Sequence, residues 1–236
     1  MSAIGKDITI IYYTANYISD WFYRHTINTL LEAIQDYPLI TVSQKPMDLG
    51  ENICVGNIGR SHLNIYRQIL LGAKAARTRY VALAEDDILY PPSHFRIRPT
   101  SDAVFNYDVN KWSLYTWHRP PIFSRLDNTV VHQLISNRDY LVDDLEERFR
   151  RWPDESKLNL SHWKDPGRRE NRLGMTERKI ERSWAEEPTI AFSHEDAFGY
   201  LSRGRNKAHG KEQAVYLEPW GSAEDVLKMY RGRDET

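Results

Sequence analysis

The sequence predicts an α/β fold, a mainly parallel sheet with flanking helices and a charged helical insert, on three observations. Strand and helix patterns alternate in the order β-α-β-α-β over residues 7–84. Within them, Val81-Ala82-Leu83-Ala84 is apolar without polar alternation, as expected of a strand covered on both faces. The chain has 236 residues, 41% of them hydrophobic and 28% charged, enough to bury a sizeable core and too apolar for wholesale disorder.

Each element follows from local chemistry. Residues 7–13 are rich in β-branched and aromatic side chains and form the first strand. Ser19 or Asp20 caps a helix with Ile27, Leu30, Leu31 and Ile34 at helical spacing, and Pro38 ends that segment. Residues 39–43 make a second strand, followed by a loop through Pro46, Gly50 and Gly56. Ser61 caps a second helix with Leu63, Tyr66, Leu70 and Ala73 along one stripe, which delivers the chain to the strand at 81–84. Such an order implies right-handed crossovers between parallel strands.

Beyond Pro99 the pattern changes. Residues 111–117 read as a strand and Arg119-Pro120-Pro121 as a turn or extended loop. Residues 138–187 are strongly charged, with Trp152, Trp163 and Trp184 spaced through them. They read as a helical insert or lid with helices at 141–149 and 176–184, because isolated tryptophans need a surface to pack on. A strand at 189–192 and a terminal helix at 223–230 complete the chain. The organisation is a ligand-binding α/β region at 1–120 and an acceptor-side region at 121–236 within one overall domain.

Composition narrows the function classes. A formal charge of -1 gives no global attraction for nucleic acid or anionic lipid. Cys54 is the only cysteine, which excludes an intrachain disulfide and a cysteine-based zinc site and suits a reducing cytoplasm. No stretch approaches the ~18 apolar residues of a membrane helix, and the first residues lack the apolar core of a signal peptide.

Glu85-Asp86-Asp87 is the segment richest in chemistry. With 33 acidic residues in the chain, about one such triplet is expected by chance, so its position at the carboxyl end of a buried strand singles it out. In open α/β sheets that edge lines the ligand crevice, and carboxylate oxygens suit Mg²⁺ or Mn²⁺ against a diphosphate. Arg60, beside the start of the second helix, is placed to meet phosphate or to lie on the surface.

The strand ending in Tyr13-Thr14-Ala15-Asn16, the helix carrying Arg67-Gln68 and the strand ending in Glu85-Asp86-Asp87 together resemble the nucleotide-sugar domain of GT-A (Rossmann-like) glycosyltransferases, particularly the family-two-like group. The resemblance spans residues 7–117 and thins to isolated motifs after them. It implies that Tyr13, Thr14 and Asn16 contact the nucleobase, that Arg67 flanks the nucleotide, and that Glu85 and Asp87 match the outer positions of the Asp-x-Asp motif. Asp87 would then hold Mn²⁺ or Mg²⁺, Glu85 the metal or the ribose, and Asp86 either one. Glutamate in the first position departs from the family pattern, as does the longer spacing from Arg67. Ser193-His194-Glu195-Asp196 resembles the downstream Glu-Asp motif of the inverting enzymes, which makes Asp196 the general base for the acceptor hydroxyl with Glu195 as its rival. The Gln-x-x-Arg-Trp that often follows that motif is absent. His209 would complete the metal site, in competition with His194, and Lys211 would meet the diphosphate.

The function implied is metal-dependent, inverting transfer of a sugar from a nucleotide-diphosphate donor, a UDP-sugar first, to an acceptor hydroxyl. For the acceptor, Trp112, Trp117 and His118 offer stacking faces, and Arg168, Arg169, Arg172, Arg178, Lys179 and Arg182 could form a helical basic face against a DNA backbone. Saccharide, hydroxymethylated DNA base and protein acceptors all stay open. A nucleotidyltransferase is the first alternative, although residues 12–19 contain neither the glycine nor the lysine of a phosphate loop. A non-catalytic nucleotide- or carbohydrate-binding module is the second.

Overall fold

Every residue from Ile8 to Thr14 is β-branched or aromatic, and all seven are buried. Such a run is a strand with both faces covered. The computed structural model, which describes residues 7–125, 128–154, 165–197, 210 and 212–231, places it at the centre of a sheet as β1 (Ile8–Thr14).

The strands that follow are β2 (Leu39–Ser43), β3 (Glu51–Cys54), β4 (Tyr80–Glu85), β5 (Ile88–Leu89), β6 (Val104–Asp108), β7 (Lys111–Tyr115) and β8 (Phe123–Arg125). After them come β9 (Leu134–Asn137), β10 (Lys179–Ser183), β11 (Thr189–Ser193), β12 (Glu212–Ala214), β13 (Tyr216–Leu217) and β14 (Gly221–Ser222). The helices are α1 (Asp20–Ile34), α2 (His62–Ala75), α3 (Arg138–Arg151) and α4 (Ala223–Arg231).

A seven-stranded sheet runs in the order β10-β6-β9-β4-β1-β2-β3. Its first four strands in sequence are mutually parallel, β9 is antiparallel to both neighbours, and β10 lies parallel to β6. A second sheet, β12-β8-β7-β11-β5, stands beside it. The mixed α/β architecture with a mainly parallel main sheet is thus the one the sequence predicts.

Alternation along β1 divides the core. Ile11 and Tyr13 face α2 and α3, meeting Leu63, Tyr66, Ile69, Leu141 and Leu145. Ile8, Ile10 and Tyr12 face α1, meeting Ile27, Leu30 and Ile34. Leu31, placed on the apolar stripe by its spacing, is 42% exposed instead. Gly72 lets α2 lie close on the sheet, since a Cβ there would come within 2.5 Å of Ile11 Cγ2. Both long helices open on serine caps, with Ser19 Oγ accepting from Phe22 N at 3.3 Å and Ser61 Oγ from Asn64 N at 3.1 Å. A third apolar cluster joins the second sheet to α4 through Leu114, Phe123, Ile190, Phe192, Val226 and Leu227.

The second half corrects several expectations. The loop expected at 46–56 contains the half-exposed edge strand β3. The helix expected at 176–184 is the edge strand β10, whose polar side chains are claimed across the sheet: Asn106 Nδ2 donates to Glu181 Oε1 at 2.6 Å and to Ser183 Oγ at 2.8 Å. Arg168–Arg182 therefore forms no helical basic face. Arg168 donates to Thr129 O at 3.0 Å, Arg172 sits in the short 3-10 turn Glu170–Leu173, and Arg178 lies over the Tyr140 ring at 4.7 Å.

The helix expected at 141–149 is α3. Helix α3 packs on α2, and its fully buried Arg148 pairs with Asp144 at 2.7 Å and Glu170 at 2.8 Å, with Tyr66 beneath it at 5.7 Å. Trp152 packs there and donates to Leu173 O at 3.1 Å, whereas Trp184 is 56% exposed and stacks with Arg125 at 5.0 Å. Trp163 lies outside the described residues. Among the described residues no helix is long and apolar enough to cross a membrane.

Candidate functional site

The carboxyl ends of β1, β2 and β4, the start of α2 and the segment after β11 meet around one cleft of about 560 Å³ that opens to solvent. A cleft at the carboxyl edge of parallel strands is the expected ligand position.

Its floor is built on carboxylates. Glu85 ends β4, and Asp86 and Asp87 turn the chain into β5. Thr14, at the end of β1, donates its hydroxyl proton to Asp86 Oδ2, and Asn16 N donates to Thr14 Oγ1 at 2.8 Å. Burial, then the charge of Asp87, push the Asp86 carboxyl up to about 7 against the opposing Thr14 hydrogen bond. Asp87 Oδ2 lies 3.3 Å from His194 Nε2, while Asp87 Oδ1 is buried with no hydrogen-bond partner among the described residues. Burial depresses the His194 pKa, but the hydrogen bond and charge of Asp87, with Asp86 and Asp196 behind, outweigh it and leave it raised. The His194 ring is wedged edge-on against Phe22 at 5.7 Å and beside Tyr230 at 5.4 Å.

Glu85 is held separately. Its Oε2 lies 3.1 Å from His132 Nδ1, its backbone N–H donates to Tyr90 Oη at 3.1 Å, and Tyr90 in turn donates to His132 O at 3.0 Å. Burial, then the charge of Lys111, push His132 down to about 3, so the imidazole is neutral and its Nδ1 carries the proton that a carboxylate accepts.

Tyr13, Thr14, Arg60, Glu85, Asp86, Asp87 and Asp196 all line the cleft. Arg60 donates to the carbonyl oxygen of Asp196 and lies over the Tyr17 ring at 4.7 Å. Three expected residues do not line it. Asn16, in the left-handed conformation at φ 58°, turns its amide oxygen to Gln44 N and Lys45 N, both at 2.9 Å, and so bridges the ends of β1 and β2. Arg67 points toward α3, donating to Asn64 Oδ1 at 2.9 Å and Pro153 O at 3.1 Å, because Phe149 offers its guanidinium a ring face at 5.7 Å. Glu195 is exposed outside the lining. His209 and Lys211 fall outside the described residues.

Sequence reasoning passed over Gln44 and Asn64 and gave Gln68, quoted beside Arg67, no role of its own; all three line the cleft. Gln68 Nε2 donates to Thr14 O at 2.8 Å and Val42 O at 2.9 Å, pinning the ends of β1 and β2 together. Asn64 and Gln68 stand four apart on the buried side of α2. Two polar residues at helical spacing on an apolar stripe are a signal the sequence carries.

Among the described residues no group of three or more His, Cys, Asp or Glu side chains is drawn together as a metal site. The donor chemistry of two of them nevertheless fits a divalent cation. Asp86 and Asp87 are adjacent hard-oxygen donors, one protonated up to near neutral pH by burial and then by its neighbour's charge, the other with an orphaned buried oxygen.

No protein-family model matches the chain, and a comparison with the curated proteins finds no match. Among solved structures, a nucleotidyl transferase from Methanothermobacter thermautotroptrophicus shares 14% identity over 84% of this chain and 96% of its own, with a TM-score of 0.46. Residues 1–349 of S. aureus TarS share 15% identity over 80% of this chain and 61% of that one, with a TM-score of 0.44. A glycosyltransferase involved in glycosylation of the major capsid of PBCV-1 shares 12% identity over 78% and 92%, with a TM-score of 0.42. No residue role is transferred from any of them.

Proposed function

We propose that this chain is a glycosyltransferase of the GT-A type that moves a sugar from a nucleotide-diphosphate donor, a UDP-sugar first, to an acceptor hydroxyl. The carrying observation is the Asp86/Asp87 pair at the carboxyl edge of the parallel strands, with one oxygen orphaned and one carboxyl driven toward neutrality. Like charges buried side by side are costly unless a cation or proton shares them.

Asp86 and Asp87 would hold Mn²⁺ or Mg²⁺, which when bound neutralises charge on the departing diphosphate. Thr14 fixes the rotamer of Asp86, and His194 orients Asp87. Arg60 offers its guanidinium to phosphate oxygens. Glu85, steadied by the neutral His132, accepts hydrogen bonds from ribose hydroxyls. Asp196 takes the proton from the acceptor hydroxyl as it attacks, which gives a single displacement with inversion. Glu195, outside the lining, is the weaker base. A saccharide is the acceptor proposed, since the helical basic face that would have held DNA is not formed.

Incubation with a panel of nucleotide sugars, with and without Mn²⁺, tests this through release of nucleoside diphosphate. Release of pyrophosphate from a nucleoside triphosphate and a sugar phosphate would mark a nucleotidyltransferase instead. Binding without any turnover would mark a non-catalytic module.

A further inference from the structure

Gln44 follows β2 directly, lines the cleft and is 7% exposed. Its amide is held one way round. Nε2 donates to the carbonyl oxygen of Gly59 at 2.8 Å, and the backbone N–H donates to Asn16 Oδ1 at 2.9 Å. Rotating the amide by half a turn would set Oε1 against the Gly59 oxygen, acceptor against acceptor, so the partner fixes the orientation. Gly59 O is itself held by Asn64 Nδ2 at 3.2 Å.

The consequence is an orphaned acceptor. Gln44 Oε1 is buried with no hydrogen-bond partner among the described residues. A carbonyl oxygen in that state is a standing cost to the fold, removed when a ligand brings an N–H or O–H to it. Its position suggests which. Gln44 sits at the end of β2 and the Asp86/Asp87 pair at the end of β4, with β1 between them. At ~4.8 Å per strand the two lie roughly 10 Å apart, the scale of a nucleoside from base edge to phosphate. Ile65, also in the lining, supplies an apolar surface for a planar ring.

We propose that Gln44 reads the donor's base by accepting its ring imino N–H, so that the cleft takes a uracil or guanine nucleotide and rejects cytosine and adenine. Uracil N3 and guanine N1 carry that proton. Cytosine N3 and adenine N1 present a bare lone pair, which would face Gln44 Oε1 with nothing between. The inference rests on the donor-site reading above and deepens it. Asn16 acts here as a positioning residue, since its side chain holds the Gln44 backbone.

The test is calorimetric titration of the whole chain with UDP, GDP, CDP and ADP in Mn²⁺, for the parent and for Gln44→Met, which keeps the length and removes the acceptor. The parent should bind UDP or GDP at least ~10-fold more tightly than CDP and ADP, since a site built for a donor rejects ligands lacking it. Whichever of UDP and GDP leads tells pyrimidine from purine. Gln44→Met should weaken the favoured nucleotide, relieve the opposed lone pairs of CDP and ADP, and so collapse the preference among the four. The parent's own ranking decides the matter if that variant fails to fold. Equal binding of all four, or a preference for CDP or ADP, overturns the Gln44 assignment and leaves the donor site standing. Failure of all four to bind overturns both.

Discussion

The Arg60 guanidinium donates to the carbonyl oxygen of Asp196, joining two cleft-lining residues 136 positions apart. Arg60 is half-buried and stacked on Tyr17, so the contact is a partly exposed hydrogen bond to a neutral carbonyl, worth about 1 kcal/mol net. Arg60→Ala should therefore lower the melting temperature by only about 2–4 °C. Transfer should fall by about tenfold or more, because the segment carrying the proposed base loses its tether. Thermal melts beside single-turnover transfer check this; equal small losses in both would remove Arg60 from the reaction.

The two carboxylate sites should separate kinetically. Asp87→Asn removes charge from the proposed cation site, so nucleotide affinity and transfer should both drop. Asp196→Asn keeps size and hydrogen bonding but cannot take up a proton, so nucleotide affinity should hold while transfer falls by ~10²–10⁴. Dissociation constants and single-turnover rates for both variants, with Glu195→Gln alongside, decide which residue is the base.

Asp86 makes a pH prediction for the metal-free chain. Its carboxyl is raised to about 7 in the fold against an ordinary value near 3.8, so between those values the native state holds the extra proton. Its contribution to stability is complete below about pH 4 and is lost as pH rises toward 7. His132, lowered to about 3, works oppositely, contributing above pH 6.5 and failing as pH falls. The readout is therefore the difference between parent and Asp86→Asn: the variant should gain stability relative to the parent from pH 4 to 7. Mn²⁺ should stabilise the parent at neutral pH and the variant much less. Parallel pH profiles would show that Asp86 ionises normally.

Arg148 should be the most damaging single site outside the cleft. Arg148→Met leaves Glu170 buried without its cation and Asp144 with only Arg178, 3.9 Å away, a loss of about 3–5 kcal/mol. A fall in melting temperature of roughly 10 °C or more is expected, where an exposed pair such as Lys228 with Asp225 should give almost none when broken.

What the sequence made visible was local. β1, α1, β2, α2 and β4 each carry their burial in their own periodicity, and Glu85-Asp86-Asp87 stands out because its members are consecutive. β3 and β10 were hidden because edge strands carry little burial pattern. Lys179-Ile180-Glu181-Arg182-Ser183 has helical composition, and β6 overrides it by pairing. β6 was hidden by Asn106 and Asp108, polar residues buried inside a strand. The site was half legible for the same reason. Gln44 meets Gly59 fifteen residues away and His194 meets Asp87 across 107, relationships that only the folded chain creates.

The parallel seat of β10 on β6 also constrains how this protein is made. Asn106 finds Glu181 only 75 residues downstream, so during synthesis β6 emerges with both flanks open and keeps one open after β9 has paired, until β10 exists. A nascent chain that already holds the complete carboxylate triplet still presents an unpaired strand to its surroundings, the surface on which chains stick to one another. Any truncation ending before residue 179 keeps that flank permanently, and a shortened fragment should run through β9, which joins β6 to β4, and be made with the β10 segment supplied, in cis or as a separate peptide.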